Sequence, residues 1–178
     1  MILERNLNKP KQKLTRKETR MDRVGSLGSG EPVYDRHNSH LHEDVVAVLP
    51  EALGKISSGK RNFLKEVVEF GHPVGHSICV VTGPGDQIIF AQRPKRFGLS
   101  RFVINRQPEE CQSVVVILKR ADDVGGYILI TAFVGELSEP EPWDRNATPA
   151  STDFWANHAL IWGCEPVIDG TVTDRCPW

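Results

Sequence analysis

Three features are missing from this sequence of 178 residues. It has no run of about 18 apolar residues, so no membrane-spanning helix and no membrane partner are predicted. It has no apolar segment near its N-terminus of the kind that a secretory signal contains. None of its four cysteines forms a C-x-x-C pair, and Cys79 and Cys111 are predicted to be buried thiols of a cytoplasmic protein. A disulfide between Cys164 and Cys176 is the less favoured alternative.

An excess of one charge is missing too, because 22 Lys and Arg residues nearly balance 23 Asp and Glu residues. The charges are nevertheless segregated: residues 55–120 carry a formal charge of +6, whereas residues 121–178 carry −8. A basic central segment is typical of proteins that bind an anionic partner such as phosphate or nucleic acid. The alternative is that these charges pair with one another across the fold.

The length suits one domain with tails, and a hydrophobic content of 39% is enough for one core. Residues 1–44 are predicted to be a basic, largely disordered tail and linker, because the first 22 residues are polar and a Gly/Ser-rich stretch follows. Residues 45–163 are the predicted domain, and residues 164–178 a C-terminal extension. Either Met1 or Met21 can be the start of translation, and the sequence alone leaves both alternatives open.

Periodicity predicts helices at both ends of this domain and strands between them. In residues 57–70, the apolar positions 63, 64, 67, 68 and 70 have the spacing of one helix face. Five runs then predict strands, at residues 76–82, 87–92, 100–106, 113–120 and 127–135. Residues 150–163 predict a short closing helix. The predicted fold class is α+β: an N-terminal helix or helices, a four- to five-stranded, mainly antiparallel sheet and a short C-terminal helix.

Neither histidine cluster predicts a metal site, and no cofactor is predicted. His37, His40 and His42 lie in a polar linker without a cysteine at ligand spacing, whereas zinc needs a rigid frame. His72 and His76 are four residues apart, but Pro73 prevents a regular helix through them, so they need not share a face.

Acid–base chemistry suits the second cluster better. Cleavage of RNA without a metal needs one group to take the proton of the ribose 2′-OH, another to protonate the leaving 5′-oxygen, and cations beside the phosphorane. Histidine titrates in the required range, and the arginine fork suits a phosphate. Seven residues of these types lie within 35 positions: His72, His76, Arg93, Lys95, Arg96, Arg101 and Arg106. Each of these basic residues, taken alone, is more simply explained as a solvated residue on the face of a strand.

Two further residues have a structural and a functional interpretation. Thr131, in the apolar run "YILITAFVG", is either a β-branched residue packed in a sheet or a hydroxyl donor to phosphate. Trp143, in "EPEPWD", is either a packed loop corner, the favoured interpretation, or a platform on which a base stacks.

The segments "FLKEVVEF", "GHPVGHS", "RPKRFGLSRFVINR" and "YILITAFVG" follow one another in residues 62–163. In order and content they resemble the barnase-EndoU-colicin E5/D-RelE-like group of small metal-independent ribonuclease toxins. In that group a helix is followed by a histidine at the first strand, a strand pair bearing arginines and a late strand that reads roughly "YxLITAY".

The resemblance implies cleavage of RNA to a 2′,3′-cyclic phosphate, and a cognate antitoxin or immunity protein as a partner. It implies that His72 or His76 is the general acid or base, that Arg101 or Arg96 binds the scissile phosphate, and that Thr131 donates a hydrogen bond to it. Arg93, Arg96, Arg106 and Trp143 are the remaining substrate-binding candidates. Phe133 stands where this group often has a tyrosine.

Of the two histidines, His76 is predicted to be the functional one, because it opens a strand and could meet Arg101 and Thr131 from neighbouring strands. His72 precedes a proline outside the regular elements. Two other functions stay open. One is a non-catalytic nucleic-acid-binding module in which Phe97 and Phe102 stack on bases, and the other is an interaction protein without a nucleic-acid role.

Overall fold

The computed structural model describes residues 21–36 and 40–178. The strands are β1 (Asp22–Ser26), β2 (Pro32–Asp35), β3 (His40–Leu41), β4 (Phe63–Glu69), β5 (Gly75–Ser77), β6 (Cys79–Val81), β7 (Ile88–Gln92), β8 (Leu99–Val103), β9 (Glu109–Cys111), β10 (Ser113–Ala121), β11 (Gly126–Val134) and β12 (His158–Ile161). The helices are α1 (Leu49–Gly54) and α2 (Pro149–Asn157), with two short 3-10 turns at Glu43–Val45 and Asp122–Val124. Strands hold 38% of the described residues and helical segments 14%. The fold is therefore mainly β, and the predicted α+β class is wrong.

The predicted N-terminal helix accounts for most of this difference. Four of its five apolar positions belong to strand β4, which pairs along its whole length with β10, and the fifth, Phe70, directly follows that strand. Leu64 and Val68 point to the core, whereas Phe63 and Val67 on the other face are 48% and 38% exposed. The spacing of these apolar residues fits one face of a helix as well as the two faces of a strand. The segment forms a strand because β10 offers it backbone hydrogen-bond partners.

The strands form three sheets. The first has the order β1-β2-β11-β10-β4, and β3 also pairs with β11. The second has the order β6-β12-β8-β7, and β5 and β9 form a small third sheet. The predicted strand 76–82 is divided at Ile78, so that β5 belongs to the third sheet and β6 to the second.

Residues that the sequence assigns to a tail and linker supply three strands of the first sheet. β2 and β3 both pair with β11 in parallel, and Leu27 and Val33 are buried in the core. The rest of the predicted tail, residues 1–20 and 37–39, lies outside the described residues.

The two large sheets have separate cores. The first sheet buries its inner face against Leu49, Ala52 and Leu53 of α1. The second sheet packs against Trp155 of α2 and against Val167 and Trp178 of the C-terminal extension. That extension also pairs with β7, where Phe90 and Thr173 exchange two backbone hydrogen bonds of 2.8 and 2.9 Å.

The described part of the chain contains no helix that is long and apolar enough to cross a bilayer. All four cysteines are free thiols.

Candidate functional site

A cavity of about 500 Å³ is lined by residues of both large sheets and of the loop 135–148. Its apolar part includes Ile130 and Phe133 of β11, Leu160 of β12 and Trp155 of α2. Five of the eight residues predicted to form a site line it: His76, Arg93, Arg96, Thr131 and Trp143. Residues far apart in the sequence therefore meet at one concave surface.

His76 reaches the cavity because strand β5 lies against the end of β11. The absence of a side chain at Gly75 permits this approach, since a Cβ atom there would lie 2.8 Å from a methyl group of Val134 and 3.5 Å from a carboxylate oxygen of Asp44. The neighbouring His76 is exposed, and it pairs across the strands with Glu110.

His42 is a second histidine of the cavity that the sequence does not identify as functional. Its backbone N–H donates to the carbonyl of Ala132 at 3.3 Å, and its ring lies 6.0 Å from the ring of Phe133. The short strand β3 places it there by pairing with β11. The run of histidines at 37, 40 and 42 is the only sequence signal for it, and a linker does not predict this position.

His72, Arg101 and Arg106 do not line this cavity. His72 lies in the turn after β4, with its ring edge to face with Phe70. Arg101 donates to the hydroxyl of Thr82 and to the carbonyl of His158 at 3.0 and 2.8 Å. Arg106 forms ion pairs with Asp86 and Glu109. Arg101 was predicted to meet His76 and Thr131, but it is not among the residues that line the cavity with them, and its guanidinium is engaged by Thr82 and His158 instead.

Arg93 connects four parts of the molecule. Its guanidinium forms ion pairs with Glu141 of the loop 135–148 and with Glu165 of the C-terminal extension. Its Nε donates to the hydroxyl of Ser100 on β8 at 2.9 Å. Only 14% of the Arg93 side chain and 8% of the Glu141 side chain are exposed. Burial alone lowers the pKa of Arg93, but the two carboxylates outweigh it and raise that pKa. Arg93 therefore stabilises the wall of the cavity, and its charge is already matched.

Trp143 packs against the backbone of Gly98, where a Cβ atom would lie 2.1 Å from the indole ring. This contact agrees with the packed loop corner. The ring also lines the cavity, and its buried Nε1 has no hydrogen-bond partner among the described residues. Oε1 of Glu141, two residues earlier, is buried and lacks such a partner as well.

The charges of the cavity are mainly negative. Five carboxylates line it, from Asp44, Glu139, Glu141, Asp144 and Glu165, against the two arginines Arg93 and Arg96. Because Arg93 is held by two of these carboxylates, Arg96 is the lining cation that remains for an anionic ligand. No ion pair joins Arg96 to another described residue.

A smaller cavity of about 200 Å³ lies beside the first and shares Cys79 and Ser138 with it. Burial raises the pKa of the Cys79 thiol to about 11. Since the thiolate is the nucleophilic form of cysteine, Cys79 is a poor nucleophile near neutral pH.

Within residues 21–36 and 40–178, no group of three or more His, Cys, Asp or Glu side chains is arranged to hold a metal ion. Of the linker histidines considered as ligands, His37 lies outside these residues and His42 belongs to the cavity.

No protein-family model, no curated protein and no solved structure matches this chain. The similarity to metal-independent ribonuclease toxins therefore stays a prediction from the residues, and the helix on which it partly rests is strand β4.

Proposed function

We propose that the chain is a metal-independent endoribonuclease whose active site is the cavity of His42 and His76. The observation that carries this proposal is that two histidines line one concave surface together with Thr131 and Arg96. Concerted acid–base cleavage of a phosphodiester needs one group that removes a proton and another that delivers one, and two imidazoles can supply both roles.

In the proposed reaction one imidazole takes the proton of the ribose 2′-OH, and the 2′-oxygen attacks phosphorus. The bond from phosphorus to the 5′-oxygen breaks, and the imidazolium of the other histidine protonates that oxygen. The products are a 2′,3′-cyclic phosphate and a 5′-hydroxyl. Arg96 stabilises the negative charge on the phosphorane, and Thr131 lies within the same surface. Arg101 and Arg106, predicted to bind the substrate, have no role in this reaction, because both guanidinium groups are engaged elsewhere. An antitoxin or immunity protein that covers this surface belongs to the same proposal.

The test is cleavage of a single-stranded RNA oligonucleotide in EDTA, with the 2′,3′-cyclic phosphate detected by mass spectrometry. General acid–base catalysis contributes about 10²- to 10⁴-fold, so His42→Ala and His76→Ala should each lose at least about 100-fold in rate. His72→Ala is the matched control, since it removes an exposed histidine outside the cavity and should cleave like wild type. Circular dichroism checks that all three variants fold. A wild type that leaves the RNA intact, or cavity variants that cleave normally, would show that the proposal is wrong.

A second function is favoured by the negative lining of the cavity and by the unpartnered polar atoms of Glu141 and Trp143. It is the binding of a small ligand that has a cationic or N–H-donating group on an apolar body. Glu141 Oε1 would accept a hydrogen bond from that group. Thermal-shift screening with aromatic amines and amidines separates the two functions: stabilisation by these compounds, without cleavage of RNA, supports the binding function.

A further inference from the structure

The turn between β7 and β8 holds one aromatic side chain away from the rest of the molecule. Phe97 is 96% exposed, more than any other large hydrophobic residue among those described. Burial of a phenylalanine side chain stabilises a fold, and the ring of Phe97 is too exposed to contribute in this way. The other aromatic residue of the hairpin, Phe102, is fully buried, with its ring edge to face with Trp162.

The turn is nevertheless held in a defined conformation. The N–H of Arg96 donates to the carbonyl of Arg93 at 3.1 Å, and the side-chain amide of Gln92 donates to the carbonyl of Arg96 at 2.6 Å. Lys95 has a φ of 63°, a left-handed conformation that is unfavourable for a non-glycine residue. Such strain persists where the surrounding contacts enforce it, and it is concentrated at functional sites.

Two cations accompany the exposed ring. Lys95 and Arg96 are both exposed, and neither forms an ion pair within the described part of the chain. Arg96 also lines the cavity. Phe97 is the next residue in the sequence, so it lies beside the proposed active site. The residue after Phe97, Gly98, packs against the indole ring of Trp143.

We propose that Phe97 is a platform on which a base of single-stranded RNA stacks, while Lys95 and Arg96 contact the adjacent phosphates. An aromatic face and cations one residue apart match the alternation of bases and phosphates along a single strand. This inference rests on the proposed function, and it specifies that a nucleotide flanking the cleaved bond is held outside the cavity by a contact that tolerates any base.

The test measures binding of a fluorescein-labelled 12-nucleotide RNA to the full chain by anisotropy at fixed salt. The double variant H42A/H76A serves as the background, so that the RNA stays intact. Phe97→Ala should raise Kd about tenfold, because it removes the stacking of one base on an aromatic side chain. Phe97→Trp should retain the affinity. Phe63→Ala, which removes an aromatic ring that is 48% exposed on β4, should leave Kd unchanged.

The outcomes separate this inference from the proposed function. Loss of affinity in Phe97→Ala, without cleavage by wild type, would support the platform and contradict the ribonuclease. Cleavage by wild type with an unchanged Kd in Phe97→Ala would contradict the platform alone. A third arm uses vesicles of anionic phospholipid. If Phe97→Ala reduces binding to vesicles but not to RNA, the turn is a membrane-docking element, and the inference is overturned.

Discussion

Among single residues, Arg93 was predicted to bind the substrate, but in the structure it forms a buried ion cluster. Its charge is shared between two carboxylates in a buried position, which leaves none for a phosphate. Replacing Arg93 with glutamine would leave Glu141 buried and uncompensated, and the loss of one partner of a buried ion pair costs about 3–5 kcal/mol. We therefore expect Arg93→Gln to reduce the free energy of unfolding by that amount in urea denaturation.

Arg36→Gln is the matched control for this variant. Arg36 pairs with Asp123, but their side chains are 34% and 66% exposed, and such pairs contribute at most about 1 kcal/mol. Equal stability losses in the two variants would mean that Arg93 is not the centre of a buried network.

The thiol of Cys79 should make the free energy of unfolding depend on pH in the alkaline range. Burial raises its folded-state pKa to about 11, from an ordinary value of 9.0. At pH values below 9 both states keep the proton, so the thiol has no effect on the pH dependence. Between pH 9 and 11 only the unfolded state releases it, and stability falls as the pH rises. From pH 8 to pH 10, wild type should lose about 1 kcal/mol more than Cys79→Ala, which lacks this thiol. Urea denaturation of both proteins at the two pH values measures the difference, and parallel losses would contradict the shifted pKa.

At the scale of elements, the loop 135–148 forms one wall of the cavity, and its position depends on the contact between Trp143 and Gly98. A methyl group at residue 98 would overlap the rigid indole ring, and overpacking of this kind costs about 1–3 kcal/mol. We expect Gly98→Ala to lower the free energy of unfolding by that amount and to weaken any ligand of the cavity, because the wall must move.

Gly85→Ala is the control for this substitution. Gly85 lies in the turn between β6 and β7, with no atom within 4 Å of a Cβ atom there. The change should be neutral or stabilising by up to about 1 kcal/mol, since alanine restricts the unfolded chain. If Gly98→Ala were equally neutral, the contact with Trp143 would not fix the loop.

The elements also show what can be predicted from the sequence. The runs at 113–120 and 127–135 predict β10 and β11, because continuous apolar residues rich in Val and Ile are typical of a central strand. Strand β4 was not predicted, because Phe63, Leu64, Val67 and Val68 fit a helix equally well. β1 and β2 were not predicted either, because few of their residues are apolar: β2 is held by pairing with β11, and β1 by pairing with β2, rather than by their own pattern.

The site was predictable only in part, for a related reason. His76, Thr131 and Arg96 are candidates by their residue types alone, and all three line the cavity. His42 and the carboxylates of the loop reach the cavity through contacts between distant segments, such as β3 with β11 and Arg93 with Glu141. The sequence also overestimates the free positive charge, because it does not show that Arg101 is engaged by Thr82 and His158, and Arg106 by Asp86 and Glu109.

At the scale of the whole molecule, residues 164–178 are attached to the second sheet by several contacts. The residues Phe90 and Thr173 exchange two hydrogen bonds, the N–H of Ile168 donates to the carbonyl of Gln92, and Trp178 packs edge to face on Phe90. Glu165 supplies one of the two carboxylates around Arg93. The extension therefore covers the outer edge of β7 and completes a buried ion cluster, although its sequence has neither a strand pattern nor a helix pattern.

We accordingly expect a chain that ends at Gly163 to be less stable than the full chain by at least about 3 kcal/mol, the lower bound for breaking a buried ion pair. Urea denaturation measures this loss. Amide hydrogen exchange should show its location as faster exchange of the Phe90 N–H, which the full chain bonds to the carbonyl of Thr173. Asp169→Ala, a change at an exposed position within the same segment, should stay within about 0.5 kcal/mol of wild type. A truncated chain that unfolds at the same urea concentration as the full chain would show that the extension is an appendage and that Arg93 is held by Glu141 alone.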